Sequence, residues 1–252
     1  MMKLRLQNKV AVVTGAAAGL GRAVALGFSR EGARVVACDL DEAQGADLVR
    51  TIKAAGGEAS FVRADVSAEE DARKLATETL DHYGRIDVLY NNAAILLAQR
   101  EARVHELEVA VWDRTLAVNL RGYFLCSKFV LPAMLKQGGG SIIHVGSPCG
   151  IRGFSPLTAY SASKGGVIGL TRVMAASYAA DKIRVNAIVP GTMDTQMNAG
   201  DETLHRQLCA DIPLGRLGTG EDLAGLAIFL ASDESSYCTG SFYTCDGGLT
   251  AI

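Results

Sequence analysis

The six cysteines of the 252-residue chain, Cys38, Cys126, Cys149, Cys209, Cys238 and Cys245, form no C-x-x-C pair and no Cys/His run at zinc-ligand spacing. That excludes a recognisable disulfide framework and leaves no metal to expect. A reduced, intracellular, cytoplasmic setting is the expectation. Charge of one sign is also lacking, since 25 Lys+Arg stand against 27 Asp+Glu for a formal −2. A surface that tracks nucleic-acid phosphates needs a basic excess or stripe, so nucleic acid is not expected as a partner. Behind Lys3 and Arg5 there is no long apolar segment, and no span of about 20 apolar residues occurs anywhere, so neither an export signal nor a membrane anchor is expected. No Pro/Ser-rich linker, low-complexity tract or internal repeat divides the chain, and a single domain over 1–252 is the economical reading.

What is present is an apolar share of 49%, and a chain of this length buries roughly 70% of its unfolded surface without a metal or disulfide staple. Apolar runs of strand length alternate with longer stretches of helical period. The strands are expected at Lys9 to Thr14, Arg34 to Cys38, Ser60 to Ala64, Asp87 to Asn91, Ser141 to Gly146, Arg184 to Val189 and Ser241 to Cys245. Helices are expected near 19–31, 41–55, 68–83, 106–136, 157–180 and 221–231. Parallel neighbours need a crossover, usually helical, so the alternation predicts an α/β fold: a Rossmann-like, doubly wound parallel sheet of about seven strands. Two irregular stretches, Ile95 to His105 and Gly191 to Pro213, follow the fourth and sixth strands. Ligands of open α/β sheets sit beyond the carboxyl ends of the strands, so both are candidates for substrate contact.

Between the first strand and the first helix lies Thr14-Gly15-Ala16-Ala17-Ala18-Gly19-Leu20-Gly21. Glycines at this junction allow a tight turn, let a pyrophosphate approach the exposed N–H groups at the helix start, and let helix and sheet pack closely. Asp39 follows 24 positions beyond Gly15, close to the offset of a ribose-binding carboxylate. Ribose hydroxyls can donate to it, whereas a 2′-phosphate at about 4 Å would meet a like charge at a cost on the order of 4 kcal/mol. Ala18 and Leu40, where an arginine could rescue the phosphate, are neutral, so NAD is expected rather than NADP.

Tyr160 and Lys164 are four residues apart at the head of the long helix 157–180, which puts phenol and ammonium on one face. A free phenol titrates near 10, and a nearby cation favours phenolate, making the pair a candidate acid/base unit. Ser147, ending the fifth strand, delivers a hydroxyl to the same sheet edge.

With the loop at 14–21, Asp65-Val66, Asn91-Asn92-Ala93-Ala94, Asn119, Ser147, Tyr160 with Lys164, and Pro190-Gly191 in this order, the chain from Val10 to Gly248 resembles the short-chain dehydrogenase/reductase family. The resemblance implies hydride transfer between the nicotinamide and a carbinol or carbonyl carbon. It gives Tyr160 the proton exchange with the substrate oxygen and Ser147 a hydrogen bond to that oxygen. Lys164 is to hold the nicotinamide ribose and lower the tyrosine pKa, while Asn119 positions a water in the proton relay. For the cofactor it implies Gly15, Ala18, Gly19, Leu20, Gly21, Asp39 and Leu40 around the pyrophosphate and adenosine ribose, and Asp65 with Val66 at the adenine. Asn91 and Ala93 are to line the channel, and Val189, Pro190, Gly191 and Thr192 to border the nicotinamide. Two departures stand out. Ala94 occupies a position usually held by Gly, which puts a positive φ in doubt there. His144 stands where Asn is frequent and reads as a sheet residue rather than a base.

The same resemblance makes the segment at about 191–213 a substrate lid, carrying Met193, Met197, Leu204 and Leu208, with Ala94, Ile95, Leu96, Pro148, Cys149 and Phe154 opposite. The lining is apolar, which points to an aliphatic or alicyclic carbonyl or alcohol. Arg100, Arg103 or Arg152, if one reached the pocket, would favour a hydroxy acid instead. Cys149 has no ordered His/Asp partner and reads as a wall residue, not a nucleophile. Small residues along the helix, Ser161, Gly165, Gly169, Ala175, Ala176 and Ala179, fit close approach of another backbone; the resemblance implies assembly through this helix and the preceding one, and with the apolar stretch Phe242 to Ile252 as a second contact a homotetramer is expected. The alternatives are an NADPH-dependent 3-ketoacyl-thioester reductase, opposed by Asp39, and a non-catalytic dinucleotide sensor, opposed by the intact Asn119, Ser147, Tyr160 and Lys164.

Overall fold

The computed structural model describes residues 4–194 and 202–251. Seven short runs rich in valine and isoleucine form one parallel sheet: β1 (Val10–Thr14), β2 (Arg34–Asp39), β3 (Ala59–Arg63), β4 (Val88–Asn91), β5 (Gly140–Val145), β6 (Ile183–Pro190) and β7 (Phe242–Cys245). Their order across the sheet is β3-β2-β1-β4-β5-β6-β7. The central strand β1 is buried at every residue, because its β-branched side chains meet helices on both faces. Ala11 and Val13 face α1 (Gly19–Arg30), α2 (Glu42–Ala54) and α8 (Gly220–Ala231), while Val10 and Val12 face α3 (Glu69–Tyr83), α5 (Gly122–Gln137) and α6 (Thr158–Tyr178). The chain leaves β1 toward β2 and returns on the other side at β4, so the crevice opens between the carboxyl ends of β1 and β4.

The expected strands are all present, with ends moved by one residue. The expected long helix 106–136 is broken in two, α4 (Val109–Leu116) and α5, joined by a π-helical turn at Ala117–Arg121. Periodicity alone does not register such an insertion, because the turn keeps a helical rhythm while shifting the hydrogen bonds by one residue. A further helix, α7 (Glu202–Ala210), lies inside the stretch expected to be irregular.

Two close approaches fix the carboxyl edge. A methyl on Gly21 would collide with the Gly15 carbonyl and the Asn92 amide, so the head of α1 sits directly on the loop that precedes it. A Cβ on Gly150 would lie 2.6 Å from the carbonyl of Lys164, which holds the turn after β5 against α6. By contrast a Cβ on Gly169 would meet nothing within 4 Å, so that part of the α6 small-residue stripe faces outward from the single chain.

Candidate active site

The loop after β1 is shaped for an anion. Ala18 stands at the N-cap of α1 without a side-chain acceptor, and no acid occupies the first turn. The first N–H groups of that helix are therefore free of capping and aligned at the positive end of its dipole. α2 and α8 differ, being capped by Asp41 and by the Thr219–Asp222 pair. A cleft of about 490 Å³ opens over the loop, lined by Gly15, Ala18, Gly19, Leu20, Asp39, Leu40, Asp65, Val66, Ala93 and Ala94 among the expected residues. Cys38, Ala64, Asn92, Ile95, Arg114 and Val118 complete it. Gly21 is not in the lining; it seats the helix.

Asp39 closes the far end of this cleft. One of its oxygens accepts from the Ala17 N–H at 3.0 Å, the other from Leu40 at 2.7 Å and Asp41 at 3.2 Å. A carboxylate offers about four acceptor sites, so these three bonds aim the group and leave capacity for a hydroxyl. The nearest cation of α1, Arg22, borders an adjoining hollow with Ala18 and Gly19, but it is paired with Asp47 at 2.7 Å. Asp65 accepts both the N–H and the hydroxyl of Ser67, and Arg114 stands 3.5 Å away. Burial works against ionisation of Asp65, but these partners outweigh it and hold the carboxyl below its ordinary range.

At the end of β4, Asn91 and Asn92 separate in role. The Asn91 amide points away from the cleft to the Tyr123 carbonyl and the Ser127 hydroxyl, and its own oxygen has no partner. Asn92 instead donates to the Thr14 and Gly15 carbonyls at 3.1 Å, while Thr14 Oγ1 accepts the Asn92 and Ala93 N–H groups. Asn92 thus ties β4 to the glycine loop, a connection that the sequence motif contained without showing which asparagine made it. Ala94 is not among the residues of positive φ, so its methyl imposes no strain.

The expected catalytic residues converge where the cleft ends at Ile95. Asn119, in the π-helical turn, accepts the Ile95 N–H at 2.8 Å, donates to the Ile95 carbonyl at 2.9 Å, and donates to Ser163 Oγ at 3.1 Å. Ser163 in turn bonds the Tyr160 carbonyl at 2.7 Å. Ser147 Oγ, which accepts the Cys149 N–H at 3.2 Å, lies close enough to the Tyr160 hydroxyl to favour its ionised form. Lys164 is 1% exposed and donates to the Val145 carbonyl at 2.8 Å. Its ammonium nitrogen lies 5.7 Å from the Tyr160 ring centre and 5.4 Å from that of Tyr123.

The electrostatics differ from the expectation that lysine lowers the phenol. Burial pushes Tyr160 up to about 12, the neighbouring Cys149 adds to the rise, and only the Ser147 bond pulls it back. Burial likewise drives Lys164 down to about 7. An amine that loses its charge near neutrality is a weak electrostatic partner for phenolate, so in the protein alone desolvation dominates both members of the pair. His144 is held neutral for the same reason, pushed down to about 3 by burial and further by the Lys164 charge, and its Nδ1 meets Thr171 Oγ1 at 2.9 Å. It is a sheet residue, as its place in β5 implied.

Of the expected substrate wall, Cys149 is close enough to Tyr160 to influence it, and burial raises its thiol. Met193 is buried and borders, with Thr192, a cavity of about 480 Å³ beside the ends of β6 and β7. Gly191 is fixed to Cys245 and the Thr192 carbonyl to Gly218, and Val189 lies in the core with Ile168. Leu96 is half-buried. Phe154 lies 5.1 Å beneath the Arg152 guanidinium, which donates to the Leu249 carbonyl. Arg100 pairs with Glu108 at 2.7 Å, and Arg103 is exposed. Met197 lies outside the described residues, as does the 195–201 part of the expected lid.

The family model described as enoyl-(acyl carrier protein) reductase matches residues 15–250. Cis-4-hydroxycyclohexanecarboxylate dehydrogenase of Sinomonas cyclohexanicum is 42% identical over 247 residues, 97% of this chain and 98% of that protein. 2-(S)-Hydroxypropyl-CoM dehydrogenase 3 of Xanthobacter autotrophicus is 39% identical over 258 residues, the full length of both. Among solved structures, a provisionally assigned NAD(P)-dependent gluconate 5-dehydrogenase of Beutenbergia cavernae, with NADP bound at low occupancy, superposes with a TM-score of 0.92 at 38% identity over the full length of both chains.

The depressed Lys164 amine makes stability depend on pH in a defined direction. Between about 7 and its ordinary 10.5, the unfolded chain binds this proton and the folded chain does not. The burden of a buried charge is thus complete below about pH 7 and fades as the pH rises toward 10.5. Replacing Lys164 by Met removes that burden. Urea denaturation at about pH 6 and about pH 9 should show the variant gaining on the wild type at the lower pH and losing that gain at the higher. A stability difference independent of pH would contradict the buried-amine reading.

Proposed function

Because this chain belongs to the short-chain dehydrogenase/reductase family, whose members act as oxidoreductases on CH–OH groups, we propose that it interconverts a secondary alcohol and a ketone with NAD(H). The observation that carries this reading is the connection of Asn119 to Ile95, which lines the cleft over the glycine loop, and through Ser163 to Tyr160, with Ser147 and Lys164 beside the phenol. The uncapped head of α1 suits a pyrophosphate, and Asp39, with Arg22 already paired, suits an unphosphorylated ribose. Bound nicotinamide supplies the hydride acceptor or donor.

In this reading Ser147 and Tyr160 hold the substrate oxygen between two hydroxyls. Tyr160 takes the alcohol proton during oxidation and returns it during reduction. With burial holding Tyr160 up to about 12, the phenol stays protonated at neutral pH in the protein alone, and the positive charges of an oxidised nicotinamide, once bound, and of a protonated Lys164 would bring it down. Lys164, anchored on Val145, supports the nicotinamide ribose and passes the proton on, with Asn119 holding the wall at Ile95.

The substrate reading is a secondary alcohol on an alicyclic frame. Ile95, Leu96, Met193 and Phe154 offer apolar surface, and the Sinomonas relative is named for a hydroxylated cyclohexane ring. The Sinomonas relative is named for a carboxylate, and Arg152 lies over Phe154 of the proposed wall. A hydroxy acid is therefore the second reading. The apolar faces left exposed at Trp112, Phe124 and Val173, with Phe242 on the edge strand, support assembly as a homotetramer; a monomeric sedimenting mass at micromolar protein would remove that part of the proposal.

Turnover of cyclic secondary alcohols, followed by NADH absorbance, should fall by about 10³-fold or more in Tyr160→Phe while NADH still binds. The same assay should favour NAD over NADP by at least about 10²-fold in kcat/KM, given a like-charge penalty on the order of 4 kcal/mol. Undiminished turnover in the variant, or a preference for NADP, would overturn the corresponding part. Faster turnover of cyclohexane rings bearing a carboxylate than of the unsubstituted alcohols would move the substrate to the hydroxy acids.

A further inference from the structure

The helix that carries Tyr160 does not cap itself. Leu157, at the N-cap of α6, has no side-chain acceptor, and the first turn contains no acid. The missing acceptor comes from the loop between β4 and α4. Glu101 is 8% exposed, and its two oxygens accept separately from the Ala159 N–H at 3.0 Å and the Tyr160 N–H at 2.8 Å. Beside them Thr158 Oγ1 donates to the Ala102 carbonyl at 2.6 Å. Three bonds therefore stitch the loop to the three residues that open α6.

The same loop begins at Ile95, whose N–H and carbonyl are both held by Asn119. It is thus pinned at Ile95 to the π-helical turn and at Glu101 and Ala102 to the head of α6, and Leu96 of the proposed substrate wall lies between these points.

We propose that Glu101 is a positioning residue for Tyr160, locking the backbone of the helix head so that the phenol meets Ser147, and coupling the seating of the β4–α4 loop to catalysis. This rests on the reading of Tyr160 as the acid/base group. Two bonds from one carboxylate to adjacent N–H groups fix the peptide between them, and a charged acceptor at a helix start makes each stronger than a neutral one. A local Ser or Asp at the N-cap would stabilise the helix equally well. Only a cap delivered from the substrate-side loop links loop position to phenol position. Misplacement of a reacting group by about 1 Å can cost on the order of 10²-fold in rate.

The test compares Glu101→Ala and Glu101→Gln with a matched control. Asp87 is a second buried carboxylate bonded to a backbone N–H, that of Val10 at 2.8 Å, at the opposite edge of the sheet. The alcohol of the panel that turns over best serves as substrate. Glu101→Ala should lower kcat at least about tenfold, with the dissociation constant of NADH changed by less than about twofold. Glu101→Gln, which keeps one accepting oxygen, should fall between it and the wild type. Asp87→Ala should lose thermal stability and keep kcat within about twofold.

Unchanged kcat in Glu101→Ala, or an equal loss in Asp87→Ala, would overturn the assignment while leaving the role of Tyr160 intact. If Glu101→Ala does not fold, wild-type kcat in Glu101→Gln overturns it. Full turnover in Tyr160→Phe would instead remove the acid/base reading, and this inference with it.

Discussion

The hydrogen bond from the Lys164 ammonium to the Val145 carbonyl organises the carboxyl edge of the sheet. It buries a lysine at the end of β5, beside two tyrosine rings, where hydration is lost and a single strand carbonyl replaces it. The amine is pushed down to about 7, so its charge is poised within the physiological range. Tyr160, one turn earlier on α6, shares the same low-dielectric surroundings and is driven the opposite way. Burial therefore sets both groups in a resting state from which a bound cation can move them. The neutral His144 behind them adds no competing charge.

Around this pair the fold distributes the remaining work among distant segments. β1 and its loop present free N–H groups, β2 ends in Asp39 at the cleft, and β4 is tied to the loop by Asn92. The π-helical turn between α4 and α5 carries Asn119 to the loop that follows β4, and that loop returns Glu101 to the head of α6. The loop after β4, the π-helical turn and the head of α6 are consequently joined by one chain of hydrogen bonds.

The alternation of strand and helix was legible in the sequence because both faces of the sheet are covered, leaving continuous apolar runs in the strands and amphipathic patterns between them. Gly15, Asp39, Ser147, Tyr160 and Lys164 were legible because their spacing is local to a strand end or a helix turn. Other features had no local signal. Glu101 caps a helix at Ala159, 58 residues further along the chain, a relation set by tertiary packing alone. The break at Ala117–Arg121 preserves helical periodicity, and α7, at 9 residues, is too short for its period to stand out within an irregular stretch. The two asparagines at 91 and 92 are adjacent, and strand alternation sends one behind the sheet and the other to the cleft. The direction of the tyrosine shift was missed because proximity of a cation is readable from spacing, whereas the depth to which that cation is buried is not.

The central claim is that Lys164 is a buried amine titrating near neutrality at the heart of the site. Isotope-edited NMR of the lysine side chains across a pH titration of the cofactor-free protein reads this directly. One lysine resonance should titrate near 7, about three units below the ordinary value, and should be missing from Lys164→Met. If every lysine titrated near 10.4, the amine would be solvated and charged throughout, contradicting the desolvated pair on which the account rests.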